Sequence, residues 1–157
     1  MTRETPVQST PADLVIESSI KRKSCPIWLV REGREADVLG RLTAEQRVWV
    51  KALGFKGGAR KMALVPGSDG TLAGVLFGVG APSPRERDGA PLLVGLLPTL
   101  LPPGTYHLDG DLGGDATLAA TAWGLGGYRY RRYKTGEVDP LPVLKLPRGV
   151  SRDAVLN

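Results

Sequence analysis

The chain has 157 residues, a length that suits one domain with a hydrophobic core of its own. Lys and Arg outnumber Asp and Glu by 21 to 16, a balance that permits contact with nucleic acid without requiring it. The single Cys and the single His exclude an internal disulfide and a cysteine–histidine metal cluster, and no apolar run is long enough to span a membrane. We therefore expect a soluble, cytoplasmic domain.

The N-terminal region contains a predicted tail and the first predicted strand. Residues 1–19 are mostly polar and are expected to form a flexible tail, in which a short apolar patch at 14–16 stays unassigned. A basic patch follows, and the apolar run at 26–30 then predicts the first buried strand.

The next element is a helix that its two ends define. Thr43 and Gln46 have the spacing of a capping box, in which each side chain accepts a hydrogen bond from the other residue's backbone N–H. Gly54 supplies the glycine that commonly follows a helix. The apolar residues between these ends are expected to form the buried face: Val48, Trp49, Ala52 and Leu53.

Strands dominate the middle of the chain. Two apolar runs, 61–66 and 72–80, are separated by turn residues and predict a β-hairpin, and the second run is apolar throughout, as in a strand covered on both faces. Residues 91–101 predict either one short helix that holds a proline or two pieces broken there. Further strands are predicted at 105–108 and 143–146. Strands that alternate with helices predict an α/β domain with a mixed sheet.

Residues 115–134 predict the main helix, around which the other elements are expected to pack. Its apolar and small residues recur three, four and seven positions apart, which is the spacing of one helical face. These residues are Leu118, Ala119, Ala122, Trp123, Leu125 and Gly126. Small residues let a helix lie close to its neighbours, with Trp123 as the one large side chain on this face.

The end of this helix, residues 128–134, interleaves tyrosines with cations and is the best candidate for a binding surface. Its basic residues are Arg129, Arg131, Arg132 and Lys134. Arginines and tyrosines in this pattern bind phosphates and stack on bases, so a nucleic-acid-binding module is one hypothesis. Cations at a helix C-terminus also interact favourably with the helix dipole, which accounts for the same residues without a ligand.

Other patterns give weaker functional signals. The glycine-rich turn at 78–82 lacks the third glycine of a dinucleotide site, although it is a candidate wall for a small-molecule pocket at the strand ends. The aspartates at 109–115 lack the spacing of a calcium loop. His107 and Cys25 have no nucleophile–base partner in the sequence pattern. We assign no catalytic and no metal-ligating residue in this chain.

Four phrases, in this order, resemble the N-terminal domain of the leucyl (cytosol) aminopeptidases in the form found in proteobacteria. They are LAGVLFGVG, LPTLLPPGTYHLDG, AWGLGGYRYRRYK and LPRGV, of which LPPGTY at 101–106 and AWGLGGYRYRRYK at 122–134 are the most specific. The resemblance spans 43–150. It implies a single three-layer α/β domain at 20–150, whose mixed sheet is flanked by helices. The start of a linker helix is then expected at 151–157.

In the family that this chain resembles, the N-terminal domain precedes a larger catalytic domain of the same polypeptide. The resemblance implies that the catalytic domain holds two divalent metals, zinc or manganese, that it releases N-terminal amino acids from peptides, and that the enzyme is a homo-hexamer. The metal motifs of that family, such as NTDAEGRL, do not occur in this sequence. We therefore expect the chain to be a non-catalytic domain that shapes access and assembly in a metallo-aminopeptidase.

Overall fold

The computed structural model describes residues 11–16, 21–81, 89–110, 116–133 and 140–156. The strands are Val15–Ile16 (β1), Cys25–Arg31 (β2), Met62–Pro66 (β3), Leu72–Gly80 (β4), Thr105–Gly110 (β5) and Val143–Lys145 (β6). The α-helices are Ala36–Leu39 (α1), Ala44–Ala52 (α2), Ala90–Leu93 (α3), Ala116–Tyr133 (α4) and Arg152–Leu156 (α5). Two 3₁₀ segments occupy Pro11–Leu14 and Val94–Thr99 within these residues.

The described strands form one six-stranded sheet in the order β1–β6–β5–β2–β4–β3. Neighbouring strands are parallel except for β3 and β4, which form the predicted antiparallel hairpin. The carboxylate of Asp69 closes the hairpin turn, because it accepts hydrogen bonds from both the backbone N–H and the hydroxyl of Thr71. The predicted mixed sheet is confirmed.

Helices cover both faces of this sheet. On one face, α3, the 3₁₀ segment after it, α4 and α5 enclose a core that contains Ile27, Phe77 and Trp123. On the other face, α1 and α2 lie over a second core that contains Val50 and Leu76. Both cores draw on the same strands because successive side chains of a strand point to opposite faces. The predicted three-layer α/β fold is confirmed.

The glycine-rich end of β4 is explained by close packing of the backbone. Residues 74–80 are all buried, as predicted for a strand covered on both faces. A Cβ atom on Gly78 would overlap the carbonyl oxygen of Gly58, in the segment that precedes β3. The N–H of Gly78 donates to the carbonyl of Lys61 in the same segment at 2.7 Å. The glycine therefore admits a neighbouring backbone.

The caps of α2 are confirmed, but its predicted buried face is wrong. Val50 is the buried residue of the helix, whereas the predicted residues are exposed: Val48, Trp49, Ala52 and Leu53. The indole Nε1 of Trp49 reaches over the edge strand β3 and donates to the carbonyl of Leu64 at 3.0 Å. Gln46 Nε2 donates to the carbonyl of Pro66 at 3.1 Å. These side chains occupy edge-strand carbonyls that would otherwise be open to another strand.

The apolar patch at 14–16 belongs to the sheet. β1 pairs in parallel with β6, and Leu14 and Val15 are 3% and 1% exposed. The structure thus differs here from the flexible tail predicted for residues 1–19, because these side chains have a place in the core beneath α4. Apart from the 3₁₀ segment before β1, the other residues of that tail lie outside the described ones.

Residues 91–101 form one continuous piece, in which α3 passes directly into the 3₁₀ segment. Pro98 lies inside the 3₁₀ segment and is buried. A proline has no backbone N–H to donate, so one helical hydrogen bond is missing at Pro98. Of the two interpretations left open by the sequence, the single short helix that holds Pro98 is nearer to the structure.

The predicted buried face of α4 is half right. Ala119 and Trp123 are fully buried, but Leu118 and Leu125 are 37% and 52% exposed. The buried face instead continues through smaller residues, namely Ala120, Gly124 and Gly127. The helix turns its alanines and glycines inward because it lies against other backbones as well as against side chains, so its leucines are left outside.

Candidate functional site

A cleft opens at the carboxyl ends of β2 and β5. From β2 the chain proceeds to β3 and β4 on one side of the sheet and later to β5 on the other, so these two strand ends form a topological switch point, where α/β sheets bind ligands. The cleft has a volume of about 220 Å³. Its lining includes one aromatic and five charged residues: Trp28, Arg31, Arg34, Asp37, Arg41 and Asp109. The turn at 78–82, predicted as a wall of such a pocket, is not part of this lining.

Charged side chains pair within this cleft. Arg41 Nη1 lies 2.9 Å from Asp109 Oδ2, which connects the segment before α2 to the end of β5. Arg34 Nε lies 3.1 Å from Asp37 Oδ2. All four side chains are at least 40% exposed, so each pair contributes about 0.2–1 kcal/mol. An anion that binds to either guanidinium would compete with the carboxylate already there for the positive charge.

The predicted basic surface lies at the end of α4. Arg129, Arg131 and Arg132 fall in the last turns of that helix, for which the structure describes the backbone but not the side chains. Lys134 lies outside the described residues. The contact with nucleic acid or a partner that was predicted for these four residues therefore stays a prediction.

A serine–histidine contact that the sequence pattern did not indicate lies at the opposite end of β2. Ser24 Oγ is 2.8 Å from His107 Nδ1, although the two residues are 83 positions apart. In a catalytic triad an acidic side chain hydrogen-bonds to the histidine and orients its ring. Among the described hydrogen bonds, no acidic side chain contacts the imidazole of His107 in this way. Burial also raises the pKa of the neighbouring Cys25 thiol, which keeps it a poor nucleophile. We interpret Ser24 and His107 as a structural contact.

His107 is expected to make the protein less stable at mildly acidic pH. Burial lowers the pKa of His107 below its ordinary value, Lys145 lowers it further, and Asp109 opposes the change. The unfolded state therefore binds the proton more readily than the folded state. The contribution of His107 to the free energy of unfolding has its full value above the unfolded-state pKa of about 6.5, and it is lost as the pH drops through the lowered folded-state pKa. Thermal unfolding between about pH 7.5 and about pH 5.5 should show a larger fall in Tm for the wild type than for His107→Asn. Equal falls would contradict the assignment, since the chain has one histidine.

Two further properties concern metals and membranes. In the part of the chain that the structure describes, His, Cys, Asp and Glu side chains nowhere gather in a group of three that would hold a metal ion. The two metals implied by the resemblance thus have no ligand set among these residues. Of the helices in the described ranges, none is both long and apolar enough to cross a membrane.

The fold and the comparisons with known proteins define the class of this chain. A parallel sheet with one antiparallel edge strand, covered by helices on both faces, makes it a three-layer α/β domain. The family model for the N-terminal domain of M17 aminopeptidases matches residues 25–147. The chain therefore belongs to the M17 (leucyl) aminopeptidase family, of which it represents the N-terminal domain.

A solved structure agrees with this assignment. The crystal structure of cytosol aminopeptidase from Coxiella burnetii is similar, with a TM-score of 0.68 and 29% sequence identity. The similarity covers 87% of this chain but 29% of that one, so the chain spans less than a third of the length of this relative. A search of curated proteins finds no match. None of these comparisons supports a role in binding nucleic acid.

Proposed function

We propose that this chain is the non-catalytic N-terminal domain of a leucyl aminopeptidase-type metallopeptidase, and that it precedes a catalytic domain in the same polypeptide. The observation that carries the proposal is the match of residues 25–147 to a domain that the family places at the N-terminus. The similar cytosol aminopeptidase, of which the matched region is 29%, supports it.

In this arrangement the catalytic domain holds the two divalent metals, zinc or manganese, and releases N-terminal amino acids from peptides. The metals would polarise the scissile carbonyl and activate a water molecule there, so no step of the chemistry falls to residues of this chain. The N-terminal domain would limit access to the active site and support assembly into a hexamer. The name of the relative, a cytosol aminopeptidase, supports a cytoplasmic location.

Parallel assays of the chain alone and of the full-length polypeptide test this proposal. With a leucine anilide substrate and Mn²⁺, we expect turnover by the full-length protein and none by the chain alone at the same molar concentration. Turnover by the chain alone would contradict the non-catalytic role. An inactive full-length protein that still binds Mn²⁺ would contradict the peptidase assignment.

The proposed role in access and assembly needs a separate measurement. A variant of the full-length protein that lacks residues 1–150 should form particles with fewer than six subunits, as measured by sedimentation equilibrium. It should also hydrolyse long peptides faster, relative to the small anilide, than the intact enzyme does. If both the number of subunits per particle and this ratio of activities are unchanged, the domain has neither role.

A further inference from the structure

A group of exposed leucines lies on the helical layer that contains α4. Leu92 lies in α3, Leu96 lies in the 3₁₀ segment and Leu100 follows that segment directly; they are 60%, 38% and 48% exposed. Leu125 of α4 is 52% exposed. We call these four residues the leucine face.

The two elements that carry the leucine face are joined at one close crossing. A Cβ atom on Gly126 of α4 would overlap the carbonyl oxygen of Gly95, and a Cβ atom on Gly95 would lie 2.8 Å from the carbonyl oxygen of Ala122. Leu96 directly follows one of these glycines and Leu125 directly precedes the other. Leu96 and Leu125 therefore lie next to the crossing of these two backbones.

The two segments that carry the leucine face contain no charged residue. Neither residues 89–106 nor residues 116–128 include an Asp, Glu, Lys or Arg. A helix whose outer side faces water normally carries charged and polar residues there, whereas a helix that is apolar all round is covered on every side. By contrast, α2 has charged residues among its exposed apolar ones, namely Glu45, Arg47 and Lys51. The leucine face has the composition of an interface.

The end of the domain lies beside this layer. α5 packs against α4, where the hydroxyl of Thr121 lies 3.4 Å from the carbonyl oxygen of Val155. A polypeptide that continues from an N-terminal domain leaves it at the C-terminal element, which here is α5. A domain tethered there is held at high effective concentration next to α4 and the leucine face.

We propose that the leucine face is the docking surface for the catalytic domain that follows α5 in the same polypeptide, an inference that rests on the proposed function. The catalytic domain would present a complementary apolar surface to Leu92, Leu96, Leu100 and Leu125. Burial of these side chains would fix the orientation of the two domains, which a linker helix alone leaves free.

Thiol labelling in two contexts tests this docking surface. Leu92→Cys and Leu125→Cys are made singly in the chain alone and in the full-length polypeptide. Leu53→Cys, at the C-cap of α2, is the matched control, because Leu53 is 52% exposed, as is Leu125. The native Cys25 is partly buried and its pKa is raised, so it reacts slowly, and the unsubstituted protein measures this background. Circular dichroism verifies the fold of each variant.

Both test positions should react at least about tenfold more slowly in the full-length polypeptide than in the chain alone, whereas Leu53→Cys should react equally in both. Equal rates at the test positions would overturn the docking surface. Slow labelling in the chain alone that speeds up on dilution would also overturn it, since a second copy would then cover the leucines.

The peptidase activity of the same full-length preparations separates the two proposals. Activity without protection of the leucines would refute the docking surface and leave the proposed function standing. Protection without activity would contradict the proposed function, while the leucine face would remain the contact with the following domain.

Discussion

Replacing Trp123 by alanine is expected to lower the free energy of unfolding by about 3–5 kcal/mol. Trp123 is 0% exposed and is the largest fully buried side chain among the described residues. It packs against Tyr106, with the ring centroids 6.3 Å apart, at the centre of the core between α4 and the sheet. Urea denaturation followed by far-ultraviolet circular dichroism measures the change.

Trp49→Ala is the matched control for this prediction. Trp49 is 47% exposed and keeps one hydrogen bond, to the carbonyl of Leu64, so its loss should cost about 1 kcal/mol. Trp123→Phe keeps most of the buried volume and should cost less than Trp123→Ala. If Trp123→Ala and Trp49→Ala were equally destabilising, Trp123 would not lie at the centre of the core.

Replacing Gly126 by alanine is expected to lower the free energy of unfolding by about 2 kcal/mol, although alanine is the better helix former. Helix propensity alone would favour alanine by about 1 kcal/mol. The added Cβ atom, however, would overlap the carbonyl oxygen of Gly95. A backbone carbonyl cannot relieve the overlap by changing rotamer, as a flexible side chain can. α4 and the 3₁₀ segment would therefore have to move apart at this crossing.

Gly40→Ala is the control for the glycine substitution. Gly40 has φ −65° and ψ −19°, and a Cβ atom there meets no heavy atom within 4 Å. Alanine at this position should leave the stability unchanged or raise it by up to about 1 kcal/mol. Chemical denaturation of both variants shows whether packing or helix propensity dominates at Gly126. A gain in stability for Gly126→Ala would disprove the close crossing.

Trp123 and Gly126 belong to the phrases that carry the family resemblance. LPPGTY ends at Tyr106, whose hydroxyl donates to the carbonyl of Pro102 at 2.7 Å, and burial raises the pKa of Tyr106 to about 12. AWGLGGY contains Trp123 and Gly126. The two phrases meet where Tyr106 packs against Trp123. They are specific because they encode this core contact and the glycine crossing.

The candidate sites were less predictable than the fold. The cleft at the strand ends depends on Arg41 meeting Asp109, and the structural pair depends on Ser24 meeting His107. In both cases the partners come from distant parts of the chain, and no local spacing relates them. The leucine face could not be predicted for another reason. Leucines at helical spacing are usually buried, so the sequence pattern places Leu125 in the core.

The sequence by itself determined the features whose partners lie a few residues apart. The capping box of Thr43 and Gln46, the hairpin between β3 and β4 and the positions of every strand except β1 are of this kind, since each depends on short-range hydrogen bonds or on local periodicity. Only the tertiary structure decided which side of α2 and of α4 faces inward, and that Val15 joins the sheet beside β6. A helical pattern shows that an apolar face exists, but the backbone that packs against the helix selects the buried side, and at Gly126 that backbone left room for a hydrogen atom alone.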